Sequence, residues 1–169
     1  MECIIKPMET EAEIEGKGRV HCESWHETYE GLVDAGYMEG VTLEKCVQTA
    51  HQWRENILVA KDGDRVIGFA AYGACRGGAL PGHGEVFALY VLREYQGRGV
   101  GYGLMNAAAE RLSAYPKMAV WVLEGNERAI RFYQRYGFCF DGAEAELVLG
   151  APVTELRMIC DRRGERTGA

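Results

Sequence analysis

A glycine-rich segment between two apolar stretches constrains this chain most. The segment reads Gln96-Gly97-Arg98-Gly99-Val100-Gly101-Tyr102-Gly103. The apolar run before it, residues 85–91, predicts a buried central strand, and residues 99–114 repeat apolar side chains every four residues, as a helix does. Glycines let backbone N–H groups turn toward an anion, and the start of a helix adds its dipole. The segment therefore predicts a phosphate site between a strand and a helix.

The glycine spacing excludes two common nucleotide-binding loops. A G-x-G-x-x-G fingerprint fails because Tyr102 or Leu104 stands at its last position, and no Gly-Lys-Ser/Thr follows to make a P-loop. Glycine supplies 22 of 169 residues, yet the chain has only four prolines, so the excess does not indicate a disordered chain. The excess of glycine indicates that some backbone segments must be free of side chains.

Length, composition and charge exclude several classes of protein. A chain of 169 residues with 47% hydrophobic and 26% charged side chains predicts one domain over residues 1–169. The net charge of −6 repels nucleic acid and anionic membranes, so neutral or cationic partners are favoured. A homodimer is compatible with the sequence, although no residue indicates one.

The cysteines and the N-terminus predict a cytoplasmic protein without a metal site. The six cysteines lie at least nineteen residues apart, so no C-x-x-C zinc or redox spacing exists. The first residues lack the basic and apolar regions of a secretory signal, and no run approaches the ~18 apolar residues that a membrane-spanning helix needs. We therefore expect reduced cysteines and no membrane partner.

Apolar periodicity and turn residues predict the other elements. Asp62-Gly63-Asp64 predicts a tight hairpin turn, and Gly16 and Gly18 predict a poor helix in the first half of 9–32, with a helical second half. In 85–91, the alternation of side chains along a strand places Glu85, Phe87, Leu89 and Val91 on one face.

The expected strands are 2–8, 56–61, 65–73, 85–91, 118–123 and two within 138–149 and 153–160. The further expected helices are 42–53, 99–114 and 126–136. The tail 161–169 is expected to be flexible.

Two motifs in order resemble the GCN5-related N-acetyltransferase (GNAT) superfamily. The first is Q-x-x-G-x-G at Gln96–Gly101, which in that family holds the pyrophosphate of acetyl-CoA. The second is N-x-x-A-x-x-F-Y-x-x-x-G-F, which matches Asn126 to Phe138. The resemblance covers roughly residues 3–159, and only 85–138 is specific. It implies an α/β (α+β) fold, with a mixed, splayed sheet of six to seven strands flanked by helices.

The resemblance implies direct acetyl transfer from acetyl-CoA to a primary amine. Glu85 is the candidate base, acting directly or through water, and Tyr133 the general acid that protonates the departing CoA thiolate. Backbone amides near Leu89 to Val91, freed by a bulge, would stabilise the oxyanion. The implied cofactor-binding residues are Leu89, Val91, Leu92, Arg93, Gln96, Gly97, Arg98, Gly99, Val100, Gly101, Gly103, Asn126 and Tyr133.

The sequence constrains the amine acceptor less than it constrains the donor, acetyl-CoA. Trp25 and Tyr29, four residues apart on a helix, are candidates for the acceptor pocket, although core packing explains them equally well. His26 or His83 could replace Glu85 as the base. A small amine such as a polyamine is the first candidate acceptor. The alternatives are the α-amine of a protein or peptide N-terminus, and a non-catalytic sensor that binds acyl-CoA.

Overall fold

The computed structural model describes residues 3–76 and 80–162, so 163–169 of the expected flexible tail lie outside the described residues. The seven strands are β1 (Cys3–Pro7), β2 (Ile57–Asp62), β3 (Arg65–Ala74), β4 (Gly84–Val91), β5 (Lys117–Leu123), β6 (Cys139–Leu149) and β7 (Ala151–Asp161). The helices are α1 (Glu11–Tyr29), α2 (Ala35–Glu39), α3 (Leu43–Gln52), α4 (Val100–Arg111) and α5 (Glu127–Tyr136). The short helix α2 was not predicted.

The strands form one mixed sheet in the order β1-β2-β3-β4-β5-β7-β6. This confirms the predicted α/β class. Strands β4 and β5 run parallel and pair only where Gly84 meets Met118 and Glu85 meets Ala119. Beyond these pairs β4 continues along β3, and β5 continues along β7. A cleft therefore opens between the C-terminal parts of β4 and β5.

Helices cover both faces of the sheet. Helix α4 packs on β2, β3 and β4, and its predicted stripe of Val100, Leu104, Ala108 and Leu112 is buried in the core on that face. Helix α1 packs on the opposite face against β3 and β4, and α3 packs against α1. The cleft is therefore bordered by α4 and α5 on one face and by α1 on the other.

A bulge in β4 changes which of its side chains share a face of the sheet, so the predicted alternation is wrong for Val86. The register with β3 pairs Val86 with Tyr72 and Ala88 with Ala71, so Phe87 is an extra residue in β4. An inserted residue shifts the side-chain period. As a result Val86 packs on the α4 face, together with Leu89 and Val91, whereas the prediction placed it on the opposite face. Ala88 and Tyr90 pack on the α1 face.

The prediction that glycines weaken the first half of α1 was wrong. Helix α1 begins at Glu11, with Thr10 and Glu13 forming a capping box, and continues through both glycines to Tyr29. A Cβ at Gly16 would lie 2.6 Å from the Val66 side chain, and one at Gly18 would lie 2.7 Å from the Cα of Val47. These glycines allow close packing against β3 and α3, so they support the helix that they were expected to interrupt.

Replacing Gly18 with alanine should lower the free energy of unfolding by about 1–3 kcal/mol. The added methyl meets the backbone of Val47, which cannot rotate away. Gly101→Ala in α4 is the matched control, because its Cβ would meet atoms no closer than 3.5 Å. That control should be neutral or slightly stabilising, since alanine favours helices. Denaturant unfolding measures both, and equal stability of the two variants would contradict the packing assigned to Gly18.

Candidate active site

A cavity of about 410 Å³ lies where β4 and β5 part. It extends from the glycine-rich loop at the start of α4, past α5, to the C-terminal end of α1. The predicted site residues that line it are Tyr29, Leu89, Val91, Gln96, Gly97, Gly99, Gly101, Asn126 and Tyr133.

The glycine-rich loop presents free backbone N–H groups to this cavity. Gly97 and Gly99 have φ angles of 73° and 83°, a region that side chains other than glycine disfavour. The N–H of Gly103 donates to the Gly99 carbonyl at 2.9 Å and starts the hydrogen-bond ladder of α4. The N–H groups of Val100, Gly101 and Tyr102 therefore have no partner within the helix. Such a helix start attracts anions.

Two arginines of α5 add positive charge to this part of the cavity. Arg128 and Arg135 both line it, and their spacing of seven residues puts them on one helix face. Sequence reasoning named two other arginines, Arg93 and Arg98, among the cofactor-binding residues. Arg93 is engaged by Glu27: the Glu27 carboxylate accepts the Arg93 backbone N–H at 3.1 Å, and the Glu27 backbone carbonyl accepts the guanidinium at 2.8 Å. The Arg98 guanidinium lies 5.7 Å from the centre of the Tyr95 ring, and neither arginine lines the cavity.

The free edge of β4 supplies further donors. The N–H of Leu92 donates to the Ile67 carbonyl of β3 at 3.0 Å, so it points toward β3. Successive N–H groups along a strand point alternately to its two sides. By this alternation the N–H groups of Leu89 and Val91 point toward β5, where β5 has already turned away. Gln96 Nε2 donates to the Val91 carbonyl at 2.7 Å, and Gln96 Oε1 is buried without a partner among the described residues.

These free donors arise from the parting of two strands. The sequence prediction attributed them to a bulge near Leu89 to Val91, but the bulge lies earlier, at Phe87. From Ala88 onward β4 pairs regularly with β3. The donors are free because β4 and β5 separate after Glu85 and Ala119.

Tyr133 lies at the inner wall of the cavity and is 8% exposed. Its ring packs edge-on against Phe132 and Phe138, with centroids 5.4 and 5.7 Å away. Burial raises the pKa of the Tyr133 hydroxyl well above its usual value, and Tyr29 adds to this shift. The hydroxyl is therefore protonated at any working pH and can donate a hydrogen bond. Asn126, at the N-terminus of the same helix, accepts the Ala129 N–H at 3.2 Å.

Glu85 is buried, with 4% exposure, but it does not line the cavity. Its carboxylate accepts the Arg76 N–H at 3.3 Å, and the Arg76 guanidinium lies 3.7 Å away. Glu85 shares its pairing level with Ala119, on the α1 face of the sheet. Because β4 and β5 separate directly after this pair, Glu85 lies at the narrow end of the cleft, four residues before Leu89.

The remaining predicted residues lie outside the cavity lining. Leu92 and Val100 are core residues, and Gly103 faces Ile5, whose Cδ1 would be 2.8 Å from an added Cβ. Trp25 packs edge-on against Tyr29 at 4.7 Å between centroids. His26 Nε2 contacts the Val41 carbonyl, and His83 Nδ1 the Pro81 carbonyl, both through local hydrogen bonds.

Sequence reasoning named Tyr29 on the α1 wall of the cavity but missed two other residues of that wall. Ser24 and Thr28 line it together with Tyr29, and the Tyr29 hydroxyl contacts the Tyr90 hydroxyl at 3.0 Å. Burial raises the pKa of both tyrosines. Ser24 and Thr28 stand four residues apart on α1, within the half predicted to be helical, so their spacing could have placed them on one face. Trp121 and Leu123 of β5 complete this side.

Two negative findings apply to residues 3–76 and 80–162. No group of three or more His, Cys, Asp or Glu side chains there could hold a metal ion. No helix in the same ranges has the length and apolar character needed to cross a bilayer.

A strand-loop-helix anion site beside a parted pair of parallel strands is typical of proteins that bind a phosphate-bearing ligand, and comparison with known proteins identifies the family. Residues 20–138 match the model of the Acetyltransferase (GNAT) family. This chain belongs to that family and is a transferase enzyme.

Its relatives carry several acetyltransferase names. The uncharacterized N-acetyltransferase YuaI of Bacillus subtilis is 32% identical over 131 residues, 73% of each chain. N-alpha-acetyltransferase 30 of Schizosaccharomyces pombe is 36% identical over 53% of this chain and 61% of its own length. Spermine/spermidine N(1)-acetyltransferase of Bacillus subtilis is 32% identical over 48% of this chain and 57% of its own length.

Solved structures show the same fold. PaiA N-acetyltransferase from Thermoplasma acidophilum, in complex with coenzyme A, superposes with a TM-score of 0.75 over 95% of this chain and 99% of its own. Its sequence identity is 20%, so this likeness speaks for the fold alone.

Proposed function

We propose that this protein transfers an acetyl group directly from acetyl-CoA to the primary amine of a small cationic molecule such as a polyamine. The observation that carries the proposal is the continuity of one cavity, from the anion-binding start of α4, past Tyr133, to the aromatic wall of α1. The two substrates can meet in such a cavity. We also expect a cytoplasmic enzyme in one domain, without nucleic-acid or membrane partners.

The donor half of the cavity fits acetyl-CoA. The pyrophosphate binds the free N–H groups at the start of α4, where Arg128 and Arg135 offset its charge. The pantetheine arm, which carries amide groups, lies along the free edge of β4 at Leu89 and Val91. The buried Gln96 Oε1 accepts one of its N–H groups, which satisfies an otherwise unpaired atom.

Transfer needs stabilisation of the oxyanion and protonation of the leaving thiolate. The N–H group of Leu89 points into the cleft and donates to the oxyanion of the tetrahedral intermediate, while the N–H group of Val91, two residues further along the strand, stays available to the pantetheine arm. The Tyr133 hydroxyl donates its proton as the carbon–sulfur bond breaks, and its phenolate then takes the second proton that the nitrogen loses on becoming an amide. The amine nitrogen forms the new bond to the carbonyl carbon, so no acetylated protein intermediate is needed.

The attacking amine must first lose a proton. Glu85 receives this proton through water, because its side chain does not line the cavity. It lies four residues before Leu89, on the α1 face of the sheet. A side chain that is 4% exposed and held by the Arg76 N–H has a fixed position for this relay. His26 and His83 are weaker candidates, because each makes a local backbone contact outside the cavity lining.

The acceptor half of the cavity favours a small amine. The α1–α2 connection meets the β6–β7 turn, since a Cβ at Gly150 would lie 2.6 Å from Asp34 Oδ1. Leu149 and Val153 beside this turn pack in one cluster with Trp25 and Tyr29. We infer that this contact limits the space beside the acceptor half of the cavity, where a peptide would need an extended groove. The likeness to N-alpha-acetyltransferase 30 supports the second candidate, a peptide N-terminal α-amine.

An amine panel distinguishes these candidates. The wild-type enzyme with acetyl-CoA is assayed for free CoA thiol against polyamines, amino acids, aminoglycosides and N-terminal peptides, alongside a thermal shift with acetyl-CoA. We expect stabilisation by acetyl-CoA and turnover concentrated on polyamines. Turnover only on peptides would select the second candidate. Stabilisation without any turnover would favour a non-catalytic sensor, and the absence of stabilisation would refute the assigned donor site.

A further inference from the structure

Glu155 of β7 stands at the level of the cleft where transfer is proposed. It pairs with Leu123 of β5, four residues beyond Ala119, the partner of Glu85. Leu89 lies four residues beyond Glu85 but only three pairing positions, because Phe87 is an extra residue, so Glu155 lies one pairing position beyond Leu89 across the sheet. Since Leu156 packs in the core on the α4 face, the adjacent Glu155 faces α1; it does not line the cavity itself but pairs with Leu123, which does.

The cations near Glu155 are engaged elsewhere. Arg157, on the same face, donates to Asp141 at 2.8 Å and stacks over Trp121 at 5.5 Å. Arg76 lies beside Glu85 and over the Phe87 ring, with 71% of its side chain exposed. No ion pair within 4.0 Å joins Glu155 to a cation among residues 3–76 and 80–162.

The electrostatic environment of Glu155 agrees with this lack of a partner. Burial raises the pKa of the half-buried Glu155 carboxyl, the charge of Glu85 raises it further, and Arg76 opposes both effects. The carboxylates of Glu85 and Glu155 thus face one partly buried region that has too little positive charge to neutralise both. A ligand cation would relieve the repulsion between them.

A second, independent feature of the acceptor half also indicates a missing donor. Ser24 is 2% exposed and lines the cavity from α1, yet its Oγ has no hydrogen-bond partner among the described residues. Buried hydroxyls are normally paired. The neighbouring rings of Trp25 and Tyr29 add aromatic surface that attracts cations. A polar N–H-bearing group between α1 and the sheet would satisfy both Ser24 and the carboxylates.

We propose that Glu155 selects the acceptor by binding a second ammonium group of a linear diamine or polyamine, whose first amine receives the acetyl group. This inference rests on the proposed function. Leu89 and Glu155 are two strand spacings apart, each about 5 Å, and the parting of β4 and β5 widens the gap. The glutamate side chain covers part of that distance, and a short diamine spans the remainder.

The test compares putrescine with n-pentylamine, which has the same length and one charge. In Glu155→Gln the KM for putrescine should rise about 10- to 100-fold with kcat nearly unchanged, because a charge-assisted hydrogen bond is lost. The KM for n-pentylamine should not change. Glu144→Gln is the matched control, since Glu144 is exposed and pairs with Leu156 on the opposite face of the same hairpin. It should behave as wild type.

The outcomes separate this inference from the proposed function. Equal effects on both amines, or a fall in kcat for both, would overturn a selecting role and indicate a proton-transfer role instead. An unchanged KM for putrescine would also overturn it. If the wild-type enzyme acetylates neither amine, the proposed acceptor class fails, and calorimetry of putrescine with the CoA-bound protein still tests Glu155. Binding weakened at least tenfold by Glu155→Gln would support the inference, and equal binding would refute it.

Discussion

Replacing Tyr133 with phenylalanine should lower kcat by about 10²- to 10⁴-fold while the Kd for acetyl-CoA stays nearly unchanged. The substitution removes one hydroxyl and keeps the ring that packs against Phe132 and Phe138. Without the hydroxyl, the CoA thiolate must leave unprotonated or take a proton from water. Steady-state kinetics at saturating amine, together with calorimetry of acetyl-CoA, measure the two quantities separately.

A second tyrosine on the same helix controls for general effects of this change. The Tyr136 hydroxyl donates to Asn106 at 2.8 Å, and neither residue lines the cavity. Tyr136→Phe should therefore keep kcat close to the wild-type value. An unchanged kcat in Tyr133→Phe would contradict the general-acid role. A weakened Kd with normal kcat would mean that Tyr133 only binds the donor.

Replacing Gly101 with aspartate should weaken acetyl-CoA binding by at least about 100-fold. The new carboxylate would project from the first turn of α4, where the pyrophosphate is proposed to bind, and would repel it. The fold should survive, because an acidic residue in the first turn of a helix complements the helix dipole. Thermal unfolding of the protein without acetyl-CoA checks the fold, and calorimetry measures the loss of affinity.

Gly101→Asn separates charge from size at the same position. Asparagine has nearly the shape of aspartate without its charge, so it should weaken binding much less than aspartate does. A Cβ at Gly101 meets only the Phe132 ring and Val91, at 3.5 Å or more, so the backbone is not displaced. Retained binding by Gly101→Asp would show that the pyrophosphate lies elsewhere.

Local signals in the sequence were sufficient for the elements that surround the donor half. Asp62-Gly63-Asp64 predicts the β2–β3 hairpin, because Gly63 adopts the positive φ of 58° that such a turn needs. Asn126 and Gly137 mark the two ends of α5, which begins at Glu127 and ends at Tyr136. Each of these features depends on a few consecutive residues, so tertiary contacts are not needed to read it.

The acceptor half depends on contacts that sequence patterns do not encode. Gly16 and Gly18 resemble helix breakers until β3 and α3 are placed beside them. The bulge at Phe87 changes which side chains of β4 face α1, and it is visible only in the register with β3. Glu155 comes within one pairing position of Leu89 through pairing across β5, over a long separation in sequence. These relations required the folded sheet.

The most direct measurement of the central claim mixes the enzyme, acetyl-CoA and the best amine of the panel, and quantifies CoA thiol and acetylated amine in the same sample. Direct transfer predicts equal amounts of the two products, both dependent on the enzyme and the amine. Intact protein mass after exposure to acetyl-CoA alone should show no acetyl adduct. CoA release without acetylated amine, or no release with any amine, would contradict the claim that this cleft transfers acetyl groups to amines.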